Sequence, residues 1–92
     1  NIAVECFDLA MEAATKGNKN SVSDAGVAAL TAFTAAHGAY YNVMINLPGI
    51  EDKEFKADIT EKANEAVRKA DRKFKEVQAV VNDALGLTTV VV

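Results

Sequence analysis

The chain has 92 residues, of which 50% are hydrophobic and 25% charged, and its formal net charge at pH 7 is −3. This length fits one small domain, and the acidic balance argues against nucleic-acid and membrane partners because it leaves no broad basic surface. The single cysteine, Cys6, excludes an internal disulfide, which favours a reducing compartment or is neutral, and the expected location is the cytoplasm.

The first predicted helix runs from about Ile2 to Thr15. Its apolar residues recur at steps of three and four, which is the helical period. They are Ile2, Cys6, Leu9, Ala10 and Ala13. Their pattern predicts that Cys6 is a buried packing thiol and not a nucleophile. Gly17 and Asn18 are expected to end the helix in the left-handed conformation that both residue types tolerate.

A loop over Lys16–Val22 is expected to lead into the second helix. Ser21 and Ser23 are both good N-cap residues, and Asp24 in the first turn would suit the positive end of the helix dipole. The helix is predicted to stop near Leu47, because a proline and a glycine follow it.

The second helix is predicted to be apolar on nearly every side, since residues 25–50 carry no formal charge. A helix of this length can span a membrane, but His37, Asn42 and Asn46 would be costly in lipid, and acidic residues flank the segment. A buried helix of a soluble protein is therefore the better interpretation.

The third predicted helix starts at Glu51 or Asp52 and ends at Gly86. Its apolar stripe keeps the helical period over about eight turns. The stripe consists of Phe55, Ile59, Ala63, Ala66, Ala70, Phe74, Val77, Val81 and Ala84. The tail Leu87–Val92 is β-prone and has no evident strand partner.

Acidic residues dominate the front half of this helix and basic residues the back half, which complements the helix dipole. Asp58–Lys62 and Glu65–Lys69 are predicted i,i+4 ion pairs. The charge run indicates a solvated helix face.

The fold class is thus all-α, a bundle of about three helices with one long helix. Two amphipathic helices cannot enclose a third that is apolar all round. We therefore expect association with further helices in a dimer or higher oligomer.

The sequence contains no Gly-rich phosphate loop, no Cys/His metal pattern and no Gly-x-Ser-x-Gly motif. No metal is expected, because one histidine cannot build a multi-histidine site. His37 is predicted to be a core or interface residue, with a role as proton carrier as the alternative.

Polar residues gather at the start of the second helix. Amides, hydroxyls and helix-start N–H groups there can bind an anion or orient a polar ligand. They are Asn18, Asn20, Ser21, Ser23 and Asp24. The alternative is that they only cap the helix and shape the turn. Asn42 and Asn46, four residues apart, form a second candidate, either for a ligand or for satisfying a buried interface.

Several short motifs occur together in a characteristic order and spacing. They are Gly17-Asn18, Ser23-Asp24, Val27-Ala28-Ala29, Gly38-Ala39-Tyr40-Tyr41-Asn42-Val43, Ile45-Asn46-Leu47, and Asp52 with Phe55. On these residues the chain resembles the cyclodeaminase/cyclohydrolase domain family of folate metabolism. This family comprises the all-helical C-terminal domain of formimidoyltransferase-cyclodeaminase and the separate methenyltetrahydrofolate cyclohydrolases.

The resemblance implies that residues 1–86 correspond to the C-terminal half of the family domain, with 87–92 as a tail. It implies a tetrahydrofolate derivative as substrate, no metal, and assembly as a homodimer. The family's proposed catalytic acid lies on a helix of the N-terminal half, and no residue here matches it. Asn18, Ser23 and Asp24 are the motif positions expected to line the pocket, with Asn20 and Ser21 beside them.

Two folate reactions are open. In one, N10 of 5-formimidoyltetrahydrofolate attacks the formimidoyl carbon and ammonia leaves. In the other, water opens the ring of 5,10-methenyltetrahydrofolate. Both need proton transfer by a positioned carboxylic acid. The alternative function is a non-catalytic helical oligomerisation module, or an inactive fragment of that enzyme.

Overall fold

A computed structural model describes residues 2–87, which form three α-helices joined by short connections. Helix α1 spans Ile2–Lys16, α2 spans Lys19–Asn46, and α3 spans Lys53–Ala84. A single 3₁₀ turn, Leu47–Gly49, follows α2, as expected where proline interrupts a helix. The predicted all-α fold with one long helix is confirmed. The β-prone tail from Thr88 onward lies outside the described residues.

The helices run up, down and up. Gly26 of α2 lies against Val81 of α3, while Tyr40 hydrogen-bonds to Asn64, so α2 and α3 are antiparallel. The Nζ of Lys73 donates a 2.8 Å hydrogen bond to Asp8 Oδ1 and ties α3 to α1. This hydrogen bond and the negative charge of Asp8 raise the pKa of Lys73.

The core between the helices consists mainly of small side chains, and among the described residues only Phe7 and Val77 are large and fully buried. The buried cluster comprises Phe7, Ala10, Ala14, Val22, Ala25, Ala29, Ala32, Ala70, Val77 and Val81. The ring of Phe74 bridges the helices, with its centroid 4.5 Å from Phe33 and 6.5 Å from Phe7. Alanines at these positions let the helix backbones approach closely.

The predicted buried row of α1 is wrong in part. Ile2 and Leu9 are 80% and 68% exposed, and Cys6 is exposed as well. The buried row is instead Phe7, Ala10 and Ala14. Two apolar rows run along α1, and the row that carries the aromatic ring is the one that packs against Phe74, because it buries more apolar area.

The connection between α1 and α2 is shorter than predicted. It contains two residues, Gly17 and Asn18, and Asn18 rather than a serine is the N-cap of α2. Asn18 has φ −76° and ψ 177°, and in residues 2–87 a positive φ occurs only at Gly86, so the left-handed ending of α1 is also wrong. Gly17 is required for a different reason: a Cβ there would lie 2.5 Å from the Ala13 carbonyl oxygen and from Ser21 Cβ.

Both ends of α3 follow the prediction. Asp52 is the N-cap, and its Oδ1 accepts hydrogen bonds from the N–H groups of Glu54 and Phe55. At the other end Gly86, with φ 70°, donates to the Asp83 carbonyl and Leu87 to the Asn82 carbonyl. This pair of bonds is a Schellman motif, which only a left-handed residue completes.

The surface ion pairs of α3 agree with the prediction at one of two positions. Asp58 and Lys62 lie 3.0 Å apart, as predicted. Glu65 instead pairs with Arg68 at 3.0 Å and lies 3.9 Å from Arg72. The guanidinium groups of Arg68 and Arg72 therefore lie beside the Glu65 carboxylate, which the i,i+4 spacing had paired with Lys69.

Helix α2 is not buried on nearly every side within this chain. Val22, Ala25, Ala29 and Ala32 face the core, whereas the opposite side is open along the whole helix. Large apolar side chains on the open side are Val27, Leu30, Tyr41 and Ile45. The two neighbouring helices cover one face of α2 and leave the other exposed. This agrees with the expectation that two amphipathic helices cannot enclose a third.

The close turn at Gly17 yields a test. Gly17→Ala should destabilise the fold by about 1–3 kcal/mol, because the new methyl group meets backbone that cannot give way cheaply. Gly49→Ala is the control, since a Cβ there meets no described atom within 4 Å and should change stability by less than about 0.5 kcal/mol. Urea unfolding measures both, and equal stability of the two variants would contradict this account of Gly17.

Candidate functional site

The start of α2, residues 18–24, carries five of the seven predicted site residues. Asn18 Oδ1 accepts a 3.0 Å hydrogen bond from the Ser21 N–H, and the Asn18 carbonyl accepts from Val22. Asn18 is therefore occupied in holding the helix start. Ser21 lies in the first turn against Gly17 and is half-buried.

The other three residues of this segment share the outer side of α2. Asn20, Ser23 and Asp24 are all exposed; Ser23 and Asp24 are neighbours in the sequence, and Asn20 stands about one turn before them. Asp24 is the sixth residue of the helix, beyond its first turn, so the dipole contribution predicted for it is lost. What remains is an exposed cluster of one carboxylate, one hydroxyl and one amide that can donate to and accept from a polar heterocycle.

Asn42 and Asn46 lie at the far end of the same helix. The Asn46 amide nitrogen donates a 2.7 Å hydrogen bond to the Asn42 carbonyl oxygen, and both residues are exposed. At 1.5 Å per residue they stand roughly 27 to 33 Å from Asp24. Within one copy of the chain, the two groups of predicted site residues do not form a single site.

A groove of about 570 Å³ opens between α1, α2 and α3, and we call it the alanine groove. Its lining is apolar apart from Cys6, Thr31 and Tyr40. It comprises Ile2, Ala3, Cys6, Ala28, Thr31, Ala32, Ala35, Ala36, Ala39, Tyr40, Val43, Ala63, Ala66 and Val67. None of the seven predicted site residues lines it. The groove exists because small side chains of α2 and α3 leave space beside the first turns of α1.

Two polar contacts between α2 and α3 were not predicted from the sequence. His37 Nε2 lies 2.7 Å from Asp71 Oδ1, with both side chains partly exposed, and the Tyr40 hydroxyl donates a 3.0 Å hydrogen bond to Asn64. The His37 ring also lies 4.4 Å from Phe33. This placement agrees with the core-or-interface prediction for His37. The sequence held one signal for the contact between His37 and Asp71. Asp71 is the lone acid between Glu65 and Glu76, and it adjoins the apolar stripe of α3.

In residues 2–87 no group of three or more His, Cys, Asp or Glu side chains is arranged to hold a metal ion. Across the same residues, none of the helices is long and apolar enough to cross a membrane.

A model of the formiminotransferase-cyclodeaminase family matches residues 1–65. The chain belongs to this family. The match contains the whole of α1 and α2 and the first part of α3, and with them all seven predicted site residues. The family membership expected from the short motifs is confirmed.

Relatives with known names agree with the assignment of this chain to the formiminotransferase-cyclodeaminase family. A methenyltetrahydrofolate cyclohydrolase of Methylorubrum extorquens is 35% identical over 80 residues, which is 87% of this chain and 32% of the relative. A formimidoyltransferase-cyclodeaminase of Sus scrofa is 38% identical over 74 residues, 80% of this chain and 13% of the relative. That of Dictyostelium discoideum is 30% identical over 82 residues, 89% of this chain and 15% of the relative.

The chain thus spans about a third of the cyclohydrolase and about a seventh of the two cyclodeaminases. No solved structure matches it significantly.

The capping role of Asn18 yields a prediction. Asn18→Ala should lower the free energy of unfolding by about 1 kcal/mol, since it removes the acceptor for the Ser21 N–H. Asn20→Ala, an exposed amide two residues on, should change it by less than about 0.5 kcal/mol. Thermal unfolding of both variants compares them, and equal losses would show that Asn18 is not the cap.

The contact between His37 and Asp71 is tested by a double-mutant cycle with alanine at each position. We expect a coupling energy of about 0.5–1 kcal/mol, because both groups are partly shielded from water. The control cycle uses the exposed pair Asp58–Lys62 and should give about 0.3–0.5 kcal/mol. Urea unfolding at one fixed pH supplies all values. A coupling for His37–Asp71 no larger than that of the control would contradict the assigned contact.

Proposed function

We propose that this chain is part of a folate enzyme of one-carbon metabolism, a formimidoyltetrahydrofolate cyclodeaminase or a methenyltetrahydrofolate cyclohydrolase. The observation that carries the proposal is the family match over residues 1–65, supported by similarity to a cyclohydrolase over 87% of the chain. The substrate is a tetrahydrofolate derivative. The protein acts in the cytoplasm, without a metal, as a homodimer.

Within this proposal the start of α2 binds the substrate. Asp24 offers an exposed carboxylate, Ser23 is the residue before it, and Asn20 stands one turn earlier on the helix. A pteridine presents an edge of N–H donors and a carbonyl acceptor, which a carboxylate and an amide complement. Asn18 and Ser21 hold the backbone from which these side chains project. Asn42 and Asn46, exposed at the other end of α2, are the second group of candidates for contact with the substrate.

The chemistry needs a proton donor or acceptor at nitrogen. In the cyclodeaminase reaction the nitrogen of the formimidoyl group must gain a proton before ammonia leaves, and in the cyclohydrolase reaction water must lose one as it attacks. We assign this acid to no residue of the 92. Residues 1–86, taken as the C-terminal half of the domain, bind and orient the folate in this proposal.

Isothermal titration with 5-formyltetrahydrofolate tests the binding role. We expect saturable binding, and Asp24→Asn should weaken it by about tenfold, since a hydrogen bond to a charged group contributes about 1.5–3 kcal/mol. Asp83→Asn makes the same chemical change on the exposed surface of α3 and should leave the affinity unchanged. Absence of binding at millimolar ligand, or equal effects of the two variants, would refute the assignment.

A non-catalytic helical oligomerisation module is the second candidate. The open side of α2, with Ile45 77% and Tyr41 68% exposed, favours it. The titration separates the two candidates, because an oligomerisation module associates with itself but has no affinity for folate.

A further inference from the structure

A second, smaller cleft opens between the first half of α2 and the last turns of α3, and we call it the amide cleft. Its volume is about 120 Å³, and none of the seven predicted site residues lines it. Its apolar side includes Gly26, Leu30, Phe74 and Val81, and its polar side carries the side-chain amides of Gln78 and Asn82.

Other polar residues along this edge of α3 have a partner on α2. The Tyr40 hydroxyl donates a hydrogen bond to Asn64, and His37 lies 2.7 Å from Asp71. The two amides of the cleft continue the same edge, since they follow Asp71 at steps of seven and four residues. At that level α2 presents only a glycine and apolar side chains, so it supplies no polar partner.

The amides of Gln78 and Asn82 are therefore available to a ligand. Both residues are half-buried, and within residues 2–87 neither side chain makes a hydrogen bond. The backbone carbonyl of Asn82 accepts from Leu87, but its side chain is not used. Residues four apart on a helix hold their Cβ atoms about 5–6 Å apart. Because each carboxamide has an acceptor oxygen and two N–H donors, the cleft offers two neighbouring donor–acceptor sets beside an apolar wall.

Such a lining fits the edge of a small planar heterocycle. A cavity of about 150 Å³ holds one benzene ring, so the amide cleft has room for about one six-membered ring. A ring N–H beside a ring carbonyl can pair with one carboxamide through two hydrogen bonds, as asparagine and glutamine pair with the donor and acceptor of adenine. The pyrimidine ring of a pteridine has this edge and an exocyclic amino group for the second amide. The Phe74 ring supplies an aromatic wall.

The amide cleft adjoins the candidate site at the start of α2. Gly26 follows Ser23 by three residues, which places it about 4.5 Å further along the helix and about 60° around it. Asp24 lies about 160° around the helix from Gly26, on the other flank. A ring held by the two amides is thus nearest to the Ser23 hydroxyl. Asp24 is then left for an N–H group farther along the same folate molecule.

We propose that the amide cleft holds the pyrimidine edge of the pteridine ring, with Gln78 and Asn82 as substrate-binding residues. The folate site then extends from the start of α2 onto α3. This inference rests on the proposed function for its ligand and on the lining of the cleft for its geometry. Both residues lie beyond the segment 1–65 that the family model matches.

Isothermal titration of the full chain with 5-formyltetrahydrofolate tests the two residues. Gln78→Ala/Asn82→Ala should weaken binding by about tenfold or more, because several hydrogen bonds are lost, while alanine preserves the helix. The control is Lys75→Ala/Asp83→Ala, which changes two exposed residues of the same turns, leaves the net charge unchanged and should leave the affinity unchanged. Equal affinities of the two double variants would overturn the proposal.

A fragment of the ligand tests which edge is bound. Pterin, the bicyclic ring without the rest of folate, should shift the side-chain amide NMR signals of Gln78 and Asn82 in the wild-type chain. Pterin methylated on the ring nitrogen beside the carbonyl should not, because the methyl group removes the donor that the carboxamide pairs with. Equal shifts with both compounds, or shifts at neither amide, would contradict the assignment of this edge.

The outcomes separate the amide cleft from the function on which its ligand rests. A wild-type chain that binds pterin at the two amides but does not bind 5-formyltetrahydrofolate would keep the cleft as a heterocycle site and remove the folate function. A chain that binds 5-formyltetrahydrofolate equally well with and without the two amides would remove the cleft and leave the folate function standing.

Discussion

The structure depends on the small size of the side chains between α2 and its neighbours. Ala25, Ala29 and Ala32 on α2 face Ala10 and Ala14 on α1 and Ala70 on α3. Close backbone approach follows, and the ring of Phe74 joins the three helices through its contacts with the rings of Phe7 on α1 and Phe33 on α2. A larger residue at these alanines would separate the helices and with them the contacts His37–Asp71 and Tyr40–Asn64.

The sequence was sufficient to predict the three helices and both ends of α3, because strong local signals determine where that helix begins and ends. Asp52 and Gly86 are a good N-cap and a good left-handed residue whatever packs nearby. At the start of α2 several residues competed for the same role. Asn18, Ser21 and Ser23 are all capable caps, and the close local turn at Gly17 places Asn18 in the capping position.

The burial pattern was predicted less well because periodicity does not say which of two apolar rows faces inward. On α1 the row with Phe7 is buried and the row with Leu9 is exposed.

The candidate site residues could be chosen from their chemistry and from the family resemblance. Their separation along α2 agrees with the single uninterrupted helix that the sequence predicts, which the structure places at Lys19–Asn46. The contact of His37 with Asp71 joins residues 34 positions apart and is visible only once the helices are packed.

The alanine-rich core also bears on the thermodynamics of unfolding. The heat-capacity change of unfolding rises with the apolar area that is exposed, and a typical chain of this length has about 1.1–1.4 kcal/mol/K. Alanine contributes little apolar area per buried residue, so a single copy falls at or below the low end of that range. Its stability then varies little with temperature, and its denaturant transition is broad.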